Sequence, residues 1–356
     1  MSGLNQQLIA DKLNISRTTV SRCFTNHKGI NPKTRAKVFS LAAKLGYQYL
    51  QPRSPNKNGV KSRPIGILIC SEIEEYNRAD YESPGVELLT GISEFAQLNH
   101  LQTEIHFVSP QAKSISDPSF SSIAALRKRL WSGVILIYPF APQIIGEIAA
   151  RFPCVSLVEQ YGWVSIDCVD VNHYKGITAL MDRLRQKGHT RIGFFSRKYA
   201  IEAAWSYRRF SAYVENLARF GLHYKEEDVI HLDITSPKTM SAGYQNVVDR
   251  MDDGVTAWIC AADHQAYDLI IALTERGYKV PQDVSITGFD GILRPQGAPA
   301  LDTVRIPYYE IGFSASRRLL DRINKRFDAI QEILLECRVH EGETIAVPSK
   351  ARFSVH

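Results

Sequence analysis

Apolar residues recur at Leu4, Leu8, Ile9 and Leu13, a spacing of three to four that places one stripe along one face of a helix. Asn14 follows, a residue that tolerates the left-handed backbone of a sharp turn, and Ile15 is placed to plug a small core. Ser16 is a good N-cap for a second helix over Arg17 to Phe24, with Val20 and either Cys23 or Phe24 turned inward and Arg17, Thr18, Ser21 and Arg22 left free. Asn31-Pro32, a cap followed by proline at the first helical position, announces a third helix. It carries Val38, Leu41, Ala42 and Leu45 inward and ends at Gly46. A linker over 47–63, broken by Pro52, Pro55 and Gly59, separates this head of residues 1–46 from the body of residues 64–350.

Beyond Arg63 the pattern changes to short apolar runs alternating with amphipathic segments. Strands are predicted at Ile65 to Ile69, Val134 to Tyr138, Val155 to Val158, Ile192 to Phe195, Ala257 to Ala261 and Ser285 to Gly288. Each is apolar on both faces, as a buried parallel strand is. Helices are predicted at Val86 to Gln97, Ile177 to Lys187, Tyr207 to Phe220 and Gln265 to Arg276. The expected architecture is a small all-α helix-turn-helix head joined to a doubly wound α/β body with parallel sheets.

Charge sharpens this division. Of the net +6 on 356 residues, residues 1–63 carry +11, with Asp11 their one acid, which leaves −5 on the rest. A basic head on a mildly acidic body implies a polyanion at the head; a solvated basic tail is the plainer alternative, against which stands the patterning of a folded unit. Two helices joined by a short turn, the second exposing Arg, Thr and Ser, is the geometry that lays a recognition helix in the major groove of double-stranded DNA. Arg17, Thr18 and Arg22 are the candidates for base reading, because an Arg fork matches guanine and a Thr suits either base. Asn5, Ser16, Thr19, Ser21, Asn31 and Thr34 sit where hydroxyls and amides hold phosphates, or equally where they cap helices.

In open α/β sheets ligands bind beyond the carboxyl ends of the strands. Asp263 and Asp290 follow strands there, and Arg209 lies near the start of the helix after another. Two carboxylates and a guanidinium suit vicinal hydroxyls, while Trp205 and Tyr308 offer rings to the apolar face of a sugar. Helix capping by the two aspartates is the competing reading.

Other chemistry finds little support. The phosphate-loop, dinucleotide, zincin and esterase motifs are absent, and the six cysteines form no C-x-x-C pair, so neither a cofactor nor a structural metal is expected. His189 falls in a helix-to-strand turn, His340-Glu341 lacks a third ligand, and Asp167 with Asp170 is a weak metal pair. No run approaches the roughly 20 apolar residues of a membrane helix, and the first residues lack the uncharged apolar run of a signal peptide. A cytoplasmic protein with no membrane partner is the expectation.

The stretch LIADKLNISRTTVSRCFTNHKGINPKTRAKVFSLAAKLGY resembles the DNA-binding head of the LacI/GalR family of bacterial repressors. Its pattern is matched at Ile15, Ser16, Thr19, Val20, Ser21, Arg22, Asn31, Thr34, Arg35, Val38, Leu45, Gly46 and Tyr47. The runs DRLRQKGHTRIGFFS, TAWICAADHQAYDLIIALTERGYKVPQDVSITGFDGI and LDTVRIPYYEIG, with Arg209 and Tyr213, are similar to the effector domain of the same family, itself like periplasmic sugar-binding proteins. The resemblance implies a periplasmic-binding-protein-like body of two subdomains crossed three times by the chain. It also implies a homodimer on a near-palindromic operator, and a small-molecule effector, sugar-like, held at Arg209, Asp263 and Asp290 with side contacts at Trp205 and Tyr308. Effector and operator are then coupled, in repression or activation, the family tending to repress. Departures are Ala212 for glycine, Ala262 and His264 beside the aspartate, YESPGV at 81–86, and a linker without leucine near Pro55-Asn56, where the family places a DNA-kinking hinge. A stand-alone solute-binding protein has no use for the basic head, and a DNA-tethered α/β enzyme needs a nucleophile or metal that the sequence does not display.

Overall fold

The computed structural model describes residues 5–24, 27, 29–45, 63–71, 84–199, 201, 203–292, 294–326 and 328–348. Leu4, Gly46, the linker up to Ser62 and the start of the YESPGV stretch lie outside them. The helices of the head are α1 (Gln6–Leu13), α2 (Arg17–Phe24) and α3 (Pro32–Lys44). All three starts, and the end of α1, have a physical cause. Asn5 Oδ1 accepts from the Leu8 amide at 3.0 Å to start α1, and Asn14 ends it in the left-handed conformation (φ 51°). Ser16 Oγ accepts from the Thr19 amide at 3.0 Å, and Asn31 Oδ1 from Lys33 at 2.8 Å. Ile9, Ala10, Val20, Cys23, Val38 and Ala42 form the core, with Leu13, Ile15, Leu41 and Leu45 packed against it. Cys23 takes the fully buried place and Phe24 lies half-buried beside Phe39.

The body continues as β1 (Ile65–Cys70), α4 (Pro84–Leu98), β2 (Thr103–Val108), α5 (Pro118–Ser121), α6 (Ala124–Arg127), β3 (Gly133–Ile137), α7 (Pro142–Ala149), β4 (Cys154–Leu157) and β5 (Asp167–Val171). Then come α8 (His173–Gln186), β6 (Ile192–Arg197), α9 (Ala204–Arg219), β7 (Val229–Leu232), α10 (Pro237–Asp252), β8 (Ala257–Cys260), α11 (Asp263–Glu275), β9 (Ser285–Asp290) and β10 (Asp302–Arg305). The chain closes with α12 (Tyr308–Ile323), β11 (Glu332–Leu335) and β12 (Arg338–His340).

These elements fall into two compact units. Of the described residues, the first contains those up to Asp170 and Pro307–Leu335; the second contains Val171–Ile306 and those from Glu336. Each has a six-stranded sheet, in the order β2-β1-β3-β4-β5-β11 and β7-β6-β8-β9-β10-β12. The β1–β5 and β6–β10 runs pair in parallel, and β12 returns antiparallel on β10. Strand order reverses between β1 and β3 in one sheet and between β6 and β8 in the other, which sets a switch point in each. In the first unit α4 and α12 meet at two glycines. A Cβ on Gly91 would strike the Tyr309 carbonyl and one on Gly312 the Leu88 carbonyl, so no larger residue permits this approach.

All six predicted strands and all four predicted body helices are present. Strands absent from the sequence reading have polar starts or exposed faces. β5 and β10 each begin with an aspartate that is wholly buried because an arginine meets it. Asp167 takes Arg318 at 2.8 Å and Arg322 at 2.7 Å, both from α12. Asp302 takes Arg183 of α8 at 3.0 Å. Removing one partner of a buried pair strands the other's charge. Asp167→Ala is therefore expected to destabilise the first unit by about 3–5 kcal/mol in urea unfolding followed through Trp131 fluorescence, and a loss below about 1 kcal/mol would mean the arginines find water instead.

Candidate functional site

Two faces carry chemistry. On the head, Arg17, Thr18 and Arg22 are exposed on α2, as are Lys12 on α1 and Lys33 and Lys37 on α3. Thr19, Ser21 and Thr34 are half-buried. Asn5, Ser16 and Asn31 do cap their helices, and the Ser16 and Thr19 hydroxyls pair at 2.9 Å. Capping fixes the first turn of each helix and leaves its remaining N–H groups directed outward, the arrangement that receives a phosphate oxygen. Arg35 behaves differently from the other cations of the head. It is buried, donating through Nη1 to Gln97 Oε1 of α4 at 2.7 Å and through Nη2 to the His27 carbonyl at 2.8 Å.

The second face lies at the switch point of the second sheet. Arg209, in the second turn of α9, is 3% exposed. Its Nε donates to His173 Nδ1 at 3.2 Å, and Nη1 donates to the Ala261 carbonyl at 2.5 Å and to Asp290 Oδ1 at 3.0 Å. The guanidinium lies 3.9 Å from the Phe289 ring centroid and 4.6 Å from that of Trp205. Weak hydration lets a guanidinium lie between rings in this way, where an ammonium would not. Asp290 ends β9 with φ 137°, a backbone region that L residues rarely adopt, and such strain collects at ligand sites.

Asp263 is also here, as the first residue of α11 after β8, yet it neither caps the helix nor stands free; the N-cap is Ala262. One oxygen accepts from the Thr303 hydroxyl at 2.5 Å and the other from the Ile292 amide at 2.9 Å. The carboxylate thus ties α11 to β10 and to the turn after β9. Gly288 makes the space, since a Cβ there would overlap Asp263 Oδ1. Burial, and then the charge of Asp290, push the Asp263 carboxyl up to about 7, opposed by the Thr303 hydroxyl and the amides of Ile292 and Gly291. Tyr308, the fifth residue expected at an effector, opens α12 in the first unit, where it is buried.

Sequence reasoning missed His173, Tyr199, Gln265 and Phe289, which complete this surface. Gln265 Nε2 donates to the Tyr199 hydroxyl at 2.6 Å, and the Tyr199 ring meets Trp205 edge-on at 5.6 Å. All four lie within or just after β5, β6, β8 and β9, so the rule that found Asp263 and Asp290 reaches them too. The minor candidates have structural partners. His189 bonds Thr256 at 2.8 Å and the Ala346 carbonyl at 2.9 Å, and Gln160 donates to Asp170 at 3.1 Å. Among the described residues no group of three or more His, Cys, Asp or Glu is placed to hold a metal, and no helix is long and apolar enough to cross a membrane.

Residues 7–49 match the family model for bacterial regulatory proteins of the lacI family, and residues 181–345 match that for a periplasmic binding protein-like domain. The HTH-type transcriptional repressor CytR of Escherichia coli is 26% identical over 350 residues, 96% of each chain. Among solved structures, the transcriptional regulator CelR in complex with cellobiose superposes with a TM-score of 0.67 at 22% identity, covering 96% of this chain and 99% of that one. The lac repressor dimer bound to operator and an anti-inducer superposes with a TM-score of 0.63 at 19% identity, over 96% and 99%. At these identities the structures share the fold.

The raised Asp263 carboxyl gives stability a pH signature. A carboxyl whose pKa rises on folding holds its proton more tightly in the native state, so its contribution is full at pH values below about 4 and is lost as pH climbs to about 7. Asp263→Asn is expected to flatten the pH dependence of thermal melting across this window; a variant that keeps the wild-type slope would place the titration elsewhere.

Proposed function

The chain belongs to the LacI family of bacterial regulatory proteins and is a DNA-binding transcriptional regulator, not an enzyme; from that premise we propose that it is a cytoplasmic, dimeric repressor whose grip on its operator is set by a sugar-like effector. The observation that carries this reading is the presence in one chain of an exposed Arg17, Thr18 and Arg22 face on a capped helix and of a buried Arg209–Asp290 pair flanked by aromatic rings.

Residues 1–46 form the DNA-binding head, 47–63 the linker and 64–350 the effector-binding and dimerising body. Arg17, Thr18 and Arg22 read base edges, while Asn5, Ser16, Thr19, Ser21, Asn31 and Thr34 hold phosphates through hydroxyls, amides and the helix starts they cap. A two-fold dimer matches two half-sites of a near-palindrome. In the second unit, Asp290 accepts hydroxyls, Arg209 donates through its remaining nitrogen, and Trp205 covers an apolar ring face. Asp263 acts through its hold on the turn at Gly291 and Ile292, which fixes where Asp290 points. Support for a sugar comes from a similarly folded regulator in complex with cellobiose and from another with bound ribose. Repression is supported by relatives named as repressors.

Binding of the full-length protein to DNA from upstream of its own gene, across a salt series, tests the head. Specific binding should weaken steeply with salt, and Arg22→Ala should cost about 1–3 kcal/mol on the preferred fragment while relaxing sequence preference. Binding without fragment preference would remove the operator-reading assignment.

A further inference from the structure

The Arg209–Asp290 pair has a neighbour that none of the assigned effector residues includes. Gln265, in the first turn of α11, is completely buried. Its Nε2 donates to Tyr199 at 2.6 Å, whereas its Oε1 is enclosed with no hydrogen-bond partner. Turning the amide over would only exchange the unmet oxygen for an unmet NH₂, so one end is left over in either orientation. A buried amide end without a partner costs about 1–3 kcal/mol, and a ligand group that meets it recovers that cost.

What surrounds the amide points to a ligand. Tyr199 follows β6 and Gln265 follows β8, so they flank the switch point itself. Tyr199, whose hydroxyl accepts from this amide, is 36% exposed. Its hydroxyl also approaches His264 Nε2 at 3.4 Å. The Tyr199 and Trp205 rings meet at 65°, forming an aromatic corner, and Trp205 lies on the same guanidinium that Asp290 holds. An apolar corner beside fixed donors and acceptors fits a ring that has one apolar face and hydroxyls at its edge.

The geometry points to Gln265 and Tyr199 as specificity-determining residues of the effector site, with Gln265 taking a ring hydroxyl of a neutral sugar and Tyr199 closing the aromatic corner over the ring. This rests on the sugar-sensing reading above. A hydroxyl both donates and accepts, so it completes the amide in either orientation, and rotation of the exposed Tyr199 side chain gives it access. A deoxy ring lacking that hydroxyl leaves the amide unmet, and the site discriminates against it.

The test is calorimetric titration of the full-length protein with neutral mono- and disaccharides, cellobiose and D-ribose among them, on the wild type, Gln265→Leu and Tyr199→Ala. Melting of the sugar-free proteins accompanies it. Gln265→Leu should raise the Kd of the sugar that binds by about tenfold, the loss of one well-made hydrogen bond, while melting no lower than wild type because an unmet amide has gone. Tyr199→Ala should weaken the same sugar by at least as much. Wild-type binding that survives unchanged in Gln265→Leu, with a lowered melting temperature, would make the amide purely structural and overturn this inference while leaving the sugar-sensing reading intact. Binding of no saccharide by the wild type would instead remove that reading and this inference with it.

Discussion

The second unit is organised around one buried cation. A guanidinium buried at the carboxyl ends of the strands has to be neutralised and its N–H groups met, and Arg209 satisfies this with Asp290, the Ala261 carbonyl and His173. Those partners come from β9, from the residue after β8 and from the start of α8, so the requirement of one side chain fixes the relative positions of three elements. Phe289 and Trp205 complete the enclosure. Asp263 extends the same constraint by tying α11 to β10 and to the turn beyond Asp290. A change at any of these residues therefore bears on the others.

The two units repeat a single solution. In each, a strand buried at its first residue by an aspartate is anchored by arginine from a helix, Asp167 by α12 and Asp302 by α8. These ion pairs lie away from the switch points and hold the sheets in register. The head relies on smaller terms. Its core is small, built among the described residues on Ile9, Ala10, Val20, Cys23, Val38 and Ala42, and caps at Asn5, Ser16 and Asn31 together with the left-handed Asn14 set helix ends. That economy leaves α2 free to present its arginines.

The head was legible in the sequence because periodicity, caps and turn residues agree along it: Asn14, Ser16 and Asn31-Pro32 stand where the structure uses them. In the body, strands apolar on both faces were found, as with Ile65–Cys70. The strands Asp167–Val171 and Asp302–Arg305 escaped because a leading carboxylate reads as a loop until its arginine, distant in sequence, is known. Thr103–Val108 is a half-exposed edge strand without the run of buried apolar residues that marks the others. In the second unit, Arg209 meets Asp290 and lies over the Trp205 ring. Asp263 turned to holding its neighbours, which no local pattern could show, since Thr303 and Ile292 are remote in sequence. Gln265 carries no charge to attract notice, and Tyr199 reads as one more aromatic until its hydroxyl partner is seen.

If effector and operator compete or cooperate through one protein, linkage makes their coupling measurable in both directions. The Kd of the preferred DNA fragment should be measured with and without saturating sugar, and the Kd of the sugar with and without that DNA. The two ratios should agree and differ from one, by about 5–150-fold for a coupling of ordinary size. A sugar that binds the second unit while leaving DNA affinity unchanged would show that the two sites are uncoupled.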